Sequence, residues 1–280
     1  MKQNPLVKIP KLLPASRKIL QLRRNTVGAM RSFDTIHWQG TPYGTEPQQC
    51  LDITEVNDLC PRDGWPSILM IHGGGWIEGD KMQFRSITPI FAKKKIMAVS
   101  MNYRLAPQAT WQEQIDDVLK ALAFLRSQQV DLQRIALWGT SAGAHLALMA
   151  ATQVPEQIRC VVTIGAPTDL SNLPADETRE VFTTSDLNLA SPLHQINRLP
   201  PTLMLHGEKD PVIPVAQSRD FAQKHGNVEY WELSNGDHHL RWPLLQGWQM
   251  KERAIEWVVE QMDLPKVGSK WKRNRYSKKK

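Results

Sequence analysis

The sequence predicts an α/β fold: a mostly parallel, twisted sheet of about eight strands with helices on both faces. Three observations carry this. Short apolar runs at 67–71, 96–101, 160–164 and 200–205 are of the fully buried strand type. Segments of helical period separate them, clearest in Trp111, Ile115, Val118, Leu122 and Leu125. A chain of 280 residues with 41% hydrophobic content is enough for one such domain. Strands alternating with helices imply parallel neighbours joined by crossovers.

Taken in order, residues 1–31 form a basic N-terminal segment in which Leu12, Leu13, Ile19, Leu20 and Leu22 fit one short amphipathic helix or a partial cap. The main domain spans 32–265. It opens with polar-alternating strands at 32–39 and 49–56, joined by the turn-rich Gly40-Thr41-Pro42-Tyr43-Gly44, which read as an antiparallel hairpin. The buried strand 67–71 runs into His72-Gly73-Gly74-Gly75-Trp76. A helix over 84–94 precedes the strand 96–101, and the helix built on Trp111 leads to a strand at 135–138. A further helix follows Ser141 to about Thr152. The strand 160–164 comes next, and residues 171–198 form a small insert without a readable period. Strand 200–205, helix 214–225, strand 228–233 and a closing helix over 244–262, with Trp248, Ile255, Val258 and Val259 inward, complete the domain. Residues 266–280 are a basic C-terminal tail.

The net charge of +7 hides an uneven distribution. The segments 1–31 and 266–280 each carry eight Lys/Arg and no acidic residue, leaving 19 basic against 28 acidic residues between them. The body is therefore acidic and the ends are basic. Such ends are either solvated or make weak contact with anionic membrane. No basic and aromatic interleaving in a folded module supports specific nucleic-acid recognition. No apolar run approaches the ~20 residues of a membrane span, and the N-terminus lacks the apolar region of a secretory signal. Cys50, Cys60 and Cys160 have no metal-like spacing, and fit a reducing, cytoplasmic setting. Oligomeric state is not legible.

The stretch from Ile135 to His145 carries the chemistry. Apolar residues run up to Gly139, Ser141 follows, and helix formers come after it. Gly-x-Ser-x-Gly between a strand and a helix puts the serine on a sharp turn at the C-terminal edge of the sheet. A serine hydroxyl needs a base in hydrogen-bond reach and a carboxylate to orient that base. Asp210 follows the strand 200–205, and His238 and His239 follow the strand 228–233, in the order serine, acid, histidine. A strand, four turn residues and a histidine favour His238 as the base, with His239 as the alternative. Attack on a carbonyl needs backbone N–H donors for the developing oxyanion. The amide after the nucleophile, that of Ala142, supplies one, and the glycine loop after His72 lets backbone approach the substrate. That loop has neither the lysine nor the spacing of a phosphate cradle. His72 is read as a brace for the loop rather than a metal ligand. Neither a metal nor an organic cofactor is required.

His72-Gly-Gly-Gly-Trp76, Tyr103-Arg-Leu-Ala-Pro107, Asp117-Val118, Gly139-Thr-Ser-Ala-Gly143 and His206-Gly-Glu-Lys-Asp210 together resemble the carboxylesterase group of α/β hydrolases, including hormone-sensitive-lipase-like and feruloyl-esterase-like enzymes. The resemblance spans residues 40–262. It implies the α/β-hydrolase fold, oxyanion donors at Gly74, Gly75 and Ala142, and bracing roles for Tyr103 and Arg104. Asp116 and Asp117 are read as helix-surface or loop-anchoring residues. The expected activity is hydrolysis of small-molecule carboxylic esters of short to medium acyl chain through an acyl-enzyme. The alternatives are an aryl formamidase-like amidase, since such enzymes carry a similar His-Gly-Gly-x-Trp motif, and a non-catalytic binding protein. Trp76 either lines the substrate pocket or packs plainly. The short region before His72 and the small insert imply an open pocket, and His239 stands where the group usually has a small residue.

Overall fold

Every residue of β4 (Trp65–Ile71), β5 (Met97–Met101), β7 (Cys160–Ile164) and β8 (Thr202–Gly207) is buried. A strand reaches that state only when both faces of its sheet are covered, which is why these runs lack polar alternation. The computed structural model describes residues 30–31, 35–173, 181–182 and 187–264. The other strands are β1 (Met30–Arg31), β2 (Thr35–Pro42), β3 (Cys50–Val56), β6 (Val130–Thr140) and β9 (Val228–Leu233). Among the described residues they form a nine-stranded sheet in the order β1-β2-β3-β5-β4-β6-β7-β8-β9. The pairings through β3–β5 are antiparallel and those from β5 to β9 are parallel.

The helices are α1 (Thr88–Lys93), α2 (Trp111–Arg126), α3 (Ala142–Gln153), α4 (Leu187–Ala190), α5 (Pro192–Gln195), α6 (Ala216–Lys224) and α7 (Leu244–Gln261). Side chains alternate across the sheet, so each strand feeds two cores. Leu69, Ile71 and Leu137 pack with Trp111, Ile115, Val118 and Leu122 of α2, with α3, and with Phe221 of α6. Ile68, Met70 and Trp138 pack on the other face with Phe91 of α1 and with Ile255 and Val258 of α7. Each such aliphatic side chain contributes about 1.5–3 kcal/mol on burial.

Helix α2 is well signalled at both levels. Its apolar positions recur at helical spacing, and it starts on a capping box in which Thr110 Oγ1 accepts the Glu113 N–H while Glu113 accepts the Thr110 N–H. Helix α3 is buried along its length, so it shows no period to read.

Several boundaries differ from the sequence reading. The ninth strand, β1, comes from the end of the basic segment and pairs Met30 with His37 and Arg31 with Ile36. The helix expected over 84–94 is two elements. Asp80 caps a 3-10 turn at Lys81–Phe84 by accepting the Met82 N–H, and α1 starts afresh at Thr88 with Pro89 in its first turn. Strand β6 begins at Val130 rather than Ile135, because Trp65 pairs back to Val130 across an irregular register. Trp248 does not face inward: it is 38% exposed on α7, and its indole N–H donates to Glu252 one turn on. Within the insert, α4 and α5 are short helices. The amphipathic stretch in 1–29, parts of the insert (174–180 and 183–186) and the tail from 265 lie outside the described residues. Among the described residues no helix is long and apolar enough to cross a membrane.

Candidate active site

Ser141 sits between β6 and α3 with φ 54° and ψ −122°, a backbone state that L side chains rarely adopt. The turn is possible only because its neighbours lack side chains. A Cβ on Gly139 would lie 2.3 Å from the Gly143 carbonyl oxygen, and one on Gly143 would lie 2.1 Å from that of Ile71. Gly143 therefore seats the first turn of α3 on the end of β4, where the glycine loop begins. Strain at Ser141 is held by hydrogen bonds: its N–H donates to Ile164 O at 2.8 Å, and its carbonyl accepts from Ala144 and His145. The serine is 8% exposed.

Asp210 and His238 meet. His238 Nδ1 lies 2.6 Å from Asp210 Oδ2, which leaves Nε2 of that ring without a partner among the described residues. The loops that carry them also meet backbone to backbone, since a Cβ on Gly207 would lie 2.4 Å from the Gly236 and Asp237 carbonyl oxygens. Lys209 N–H donates to Gly236 O across the same contact. His238 in turn lies on Gly165, where a Cβ would come within 3.0 Å of its ring. Gly165 directly follows Ile164, the residue that holds the Ser141 amide, so the end of β7 is the common support of serine and histidine.

Asp210 is saturated with donors. Oδ1 accepts the Val212 and Ile213 N–H groups at 2.8 and 2.9 Å, and Oδ2 is shared by His238 and by His206 Nε2 at 3.0 Å. Burial opposes ionisation of Asp210. Hydrogen bonds from His206 and His238, the charge of His238 and the Ile213 N–H outweigh it and hold the carboxyl well below the usual range. His206 is fully buried. Its Nε2 faces two acceptors, Asp210 Oδ2 and Ile213 O, so that nitrogen carries the proton and Nδ1 accepts from the Ser218 hydroxyl at 2.7 Å.

The glycine loop lies against the serine: a Cβ on Gly73 would sit 3.1 Å from Ser141 Cβ. Gln83 Oε1 takes the Gly73 N–H at 3.0 Å. The Gly74 and Gly75 N–H groups have no acceptor among the described residues. Positive φ at both glycines, 123° and 55°, turns the chain here, and Glu78 O fills the space a Cβ on Gly74 would need. His72 braces this loop as read, stacking on Tyr103 at 4.4 Å, while the Tyr103 hydroxyl donates to His72 O. Arg104 and Asp117 anchor the neighbouring segment. Asp117 is buried and accepts from the Arg104 amide and guanidinium and from Gln49. Asp116 is exposed.

Trp76 is 3% exposed and sits in an aromatic cluster with Trp111, His145 and Phe182. Its indole N–H donates to His145 Nδ1. His239 does not reach Asp210. Its ring lies 4.8 Å from that of His238, and burial, with the charges of His238 and Arg241, pushes its pKa down to about 4. Among the described residues no group of His, Cys, Asp and Glu is arranged to hold a metal.

Sequence reasoning missed three members of this site. His206 stands four residues before Asp210, at the other end of the same motif, and its residue type alone does not mark it as a partner of that carboxylate. Gly165 follows a strand that reads as ordinary core. Gln83 has no sequence signal, because its role comes from the turn at Asp80.

The chain is similar to known esterases. Esterase LipC of Mycobacterium tuberculosis is 29% identical over 249 residues, covering 75% of this chain and 62% of its own length. Esterase LipQ of the same organism is 32% identical over 234 residues, 70% of this chain and 56% of its own. The chain thus spans about three fifths of the length of these relatives. The structure of Thermogutta terrifontis esterase 2 phosphonylated by sarin superposes with a TM-score of 0.71 at 24% identity, covering 82% of this chain and 97% of that one; at that identity the likeness is one of fold, and the fold is that of the α/β hydrolases. The BD-FAE family model matches residues 61–225, from the loop before β4 through α6. With the strand order, the glycine loop and the serine turn in place, the chain belongs to the BD-FAE family, within the carboxylesterase group of α/β hydrolases.

Proposed function

We propose that this protein is a serine hydrolase that cleaves small carboxylic esters of short to medium acyl chain through an acyl-enzyme. The observation that carries the reading is the 2.6 Å contact of His238 with Asp210 on a ring that also rests against Gly165, beside the Ser141 amide. The named esterase relatives support the ester class.

His238 Nε2 takes the Ser141 proton as Oγ bonds to the ester carbonyl carbon, and the carbonyl π pair moves to oxygen. The N–H groups of Gly74, Gly75 and Ala142 receive that oxyanion. Asp210 holds the imidazole in the tautomer with Nδ1 protonated and stabilises its cation. Collapse breaks the bond to the alkoxy oxygen, which leaves as the alcohol with the proton from His238. Water then gives a proton to His238 and its oxygen to the acyl carbon, and a second collapse frees the acid and restores Ser141. Trp76 packs on His145 and Phe182 and so steadies the glycine loop that it ends. The protein's setting is proposed as cytoplasmic, and its basic ends as weak contacts for anionic membrane. Salt-sensitive cosedimentation with anionic liposomes tests the latter, and survival of binding without 1–31 and 266–280 ends it.

The deciding experiment compares wild type with Ser141→Ala on p-nitrophenyl acetate, butyrate and octanoate, with N-formylkynurenine alongside. The esters should turn over with the shorter chains preferred, and Ser141→Ala should lose at least about a thousandfold in rate. Equal rates for the two proteins refute the serine assignment. Faster turnover of N-formylkynurenine than of any ester replaces esterase by amidase.

A further inference from the structure

On the α1/α7 face of the sheet, behind the serine turn, lies a cavity of about 170 Å³ that the proposed reaction does not use. It is lined by Trp138, Thr140 and Ile164 at the ends of β6 and β7, by Gln83, Phe84, Ser86 and Ile87 before α1, and by His239, Arg241, Trp248 and Lys251. Three observations make this a polar site rather than a packing defect.

First, two buried polar atoms here lack a partner among the described residues: Trp138 Nε1, on a side chain with no exposed surface, and His239 Nδ1. Such groups are rare in native proteins and call for an explanation, because each forfeits its hydration. Trp138 Nε1 is a donor only, and His239 Nδ1 donates in the matching neutral tautomer. Second, neither the Arg241 guanidinium nor the Lys251 ammonium is in an ion pair among the described residues. The nearby Asp237 spends one oxygen on the Arg241 backbone N–H. Third, these groups feel one another. Lys251 is lowered from its ordinary pKa by burial and then by Arg241, and His239 by burial, His238, Arg241 and Lys251, with Asp237 acting the other way on both. Two cations and two orphan N–H groups around one space form the donor set of an anion.

We propose that this cavity binds a small oxyanion of phosphate size, held by Arg241 and Lys251 at its mouth and by Trp138 Nε1–H and His239 Nδ1–H within. A dianion matches the two unpaired cations, and the volume admits a tetrahedral ion with part of its water. The site is separate from the oxyanion hole at Gly74 and Gly75, though Gln83 borders both. It stands whether or not the esterase reading does.

The test is thermal unfolding of the full chain against inorganic phosphate at constant ionic strength, with Lys251→Met and Arg241→Gln as variants and Ser141→Ala as the control for binding at the serine. Methionine keeps the apolar stem that Lys251 buries. Wild type and Ser141→Ala should show a saturable rise in Tm, and each cation variant should weaken the apparent affinity at least about tenfold. A rise that is linear in phosphate and equal in all four proteins is the general effect of an excluded salt and overturns the proposal. So does the absence of any rise, or saturation lost only in Ser141→Ala. Nitrogen NMR provides a check independent of variant folding: phosphate should shift His239 Nδ1, and an unmoved resonance at saturating phosphate overturns the assignment.

Discussion

His206 and His238 converge on one oxygen: Asp210 Oδ2 lies 3.0 Å from Nε2 of the first and 2.6 Å from Nδ1 of the second. The acid is thus gripped from both sides, by its own strand through His206 and by the last loop through His238. With its other oxygen on two backbone N–H groups it has little freedom to rotate.

That grip has a pH signature. The folded pKa of Asp210 is depressed below the ~3.9 of an unfolded aspartate. Its contribution to stability is therefore complete above about pH 5 and is lost as pH falls below 4, where the unfolded chain takes up the proton first. Urea unfolding of wild type and Asp210→Asn should show a stability gap that is constant from pH 7 to 5 and narrows toward pH 3. A gap independent of pH would mean that Asp210 is not held in its ionised form.

The two adjacent histidines separate by position. Only His238 touches Asp210, and His239 faces the α7 side. His238→Ala should lower kcat by about a thousandfold or more, whereas His239→Ala should change it by less than about tenfold. Steady-state kinetics on p-nitrophenyl butyrate decides, and the reverse order would transfer the base to His239.

Gly143 and Gly226 should respond oppositely to alanine. At Gly143 the new methyl meets the Ile71 carbonyl oxygen at 2.1 Å, whereas at Gly226 nothing lies within 4 Å. Gly143→Ala should destabilise by about 2–4 kcal/mol through backbone displacement and take ester turnover with it. Gly226→Ala should be neutral or stabilise by up to about 1 kcal/mol. Urea midpoints of the purified variants check both.

His145 predicts a second pH effect, of the kind expected for a base kept neutral. It is fully buried, its Nδ1 accepts from Trp76 and its Nε2 faces Ala190 O, so a second proton has no place. Burial pushes its pKa down to about 4. Between pH 6.5 and 4 the unfolded chain protonates this histidine and the folded chain does not, so stability falls by about 1.4 kcal/mol per pH unit on its account. His145→Gln should flatten the slope of unfolding free energy against pH by about one proton over that window. An unchanged slope would show that the ring titrates freely in the folded protein.

Much of this was legible in the chain because local chemistry and global fold agree. The capping box and apolar spacing announce α2, and the glycines around Ser141 announce a turn that only a strand–helix junction requires. The order of Ser141, Asp210 and His238 anticipated the juxtaposition of the last two. What was not legible depends on contacts between distant segments. The split of the helix over 84–94 follows from Asp80 capping one turn and Pro89 starting another. Trp248 has the spacing of a core residue but lies in the first turns of α7, partly exposed, with its indole N–H on Glu252. His206, fully buried and polar, reads as a strand residue until Ile213 and Ser218 fold back on it.

The end of β7 has a mechanical meaning. Ile164 holds the Ser141 amide and Gly165 supports the His238 ring, with no side chain between strand and ring. Any shift of this strand within the sheet carries Ser141 and His238 in the same direction, which preserves their mutual alignment, and on the proposed mechanism rates depend steeply on that alignment.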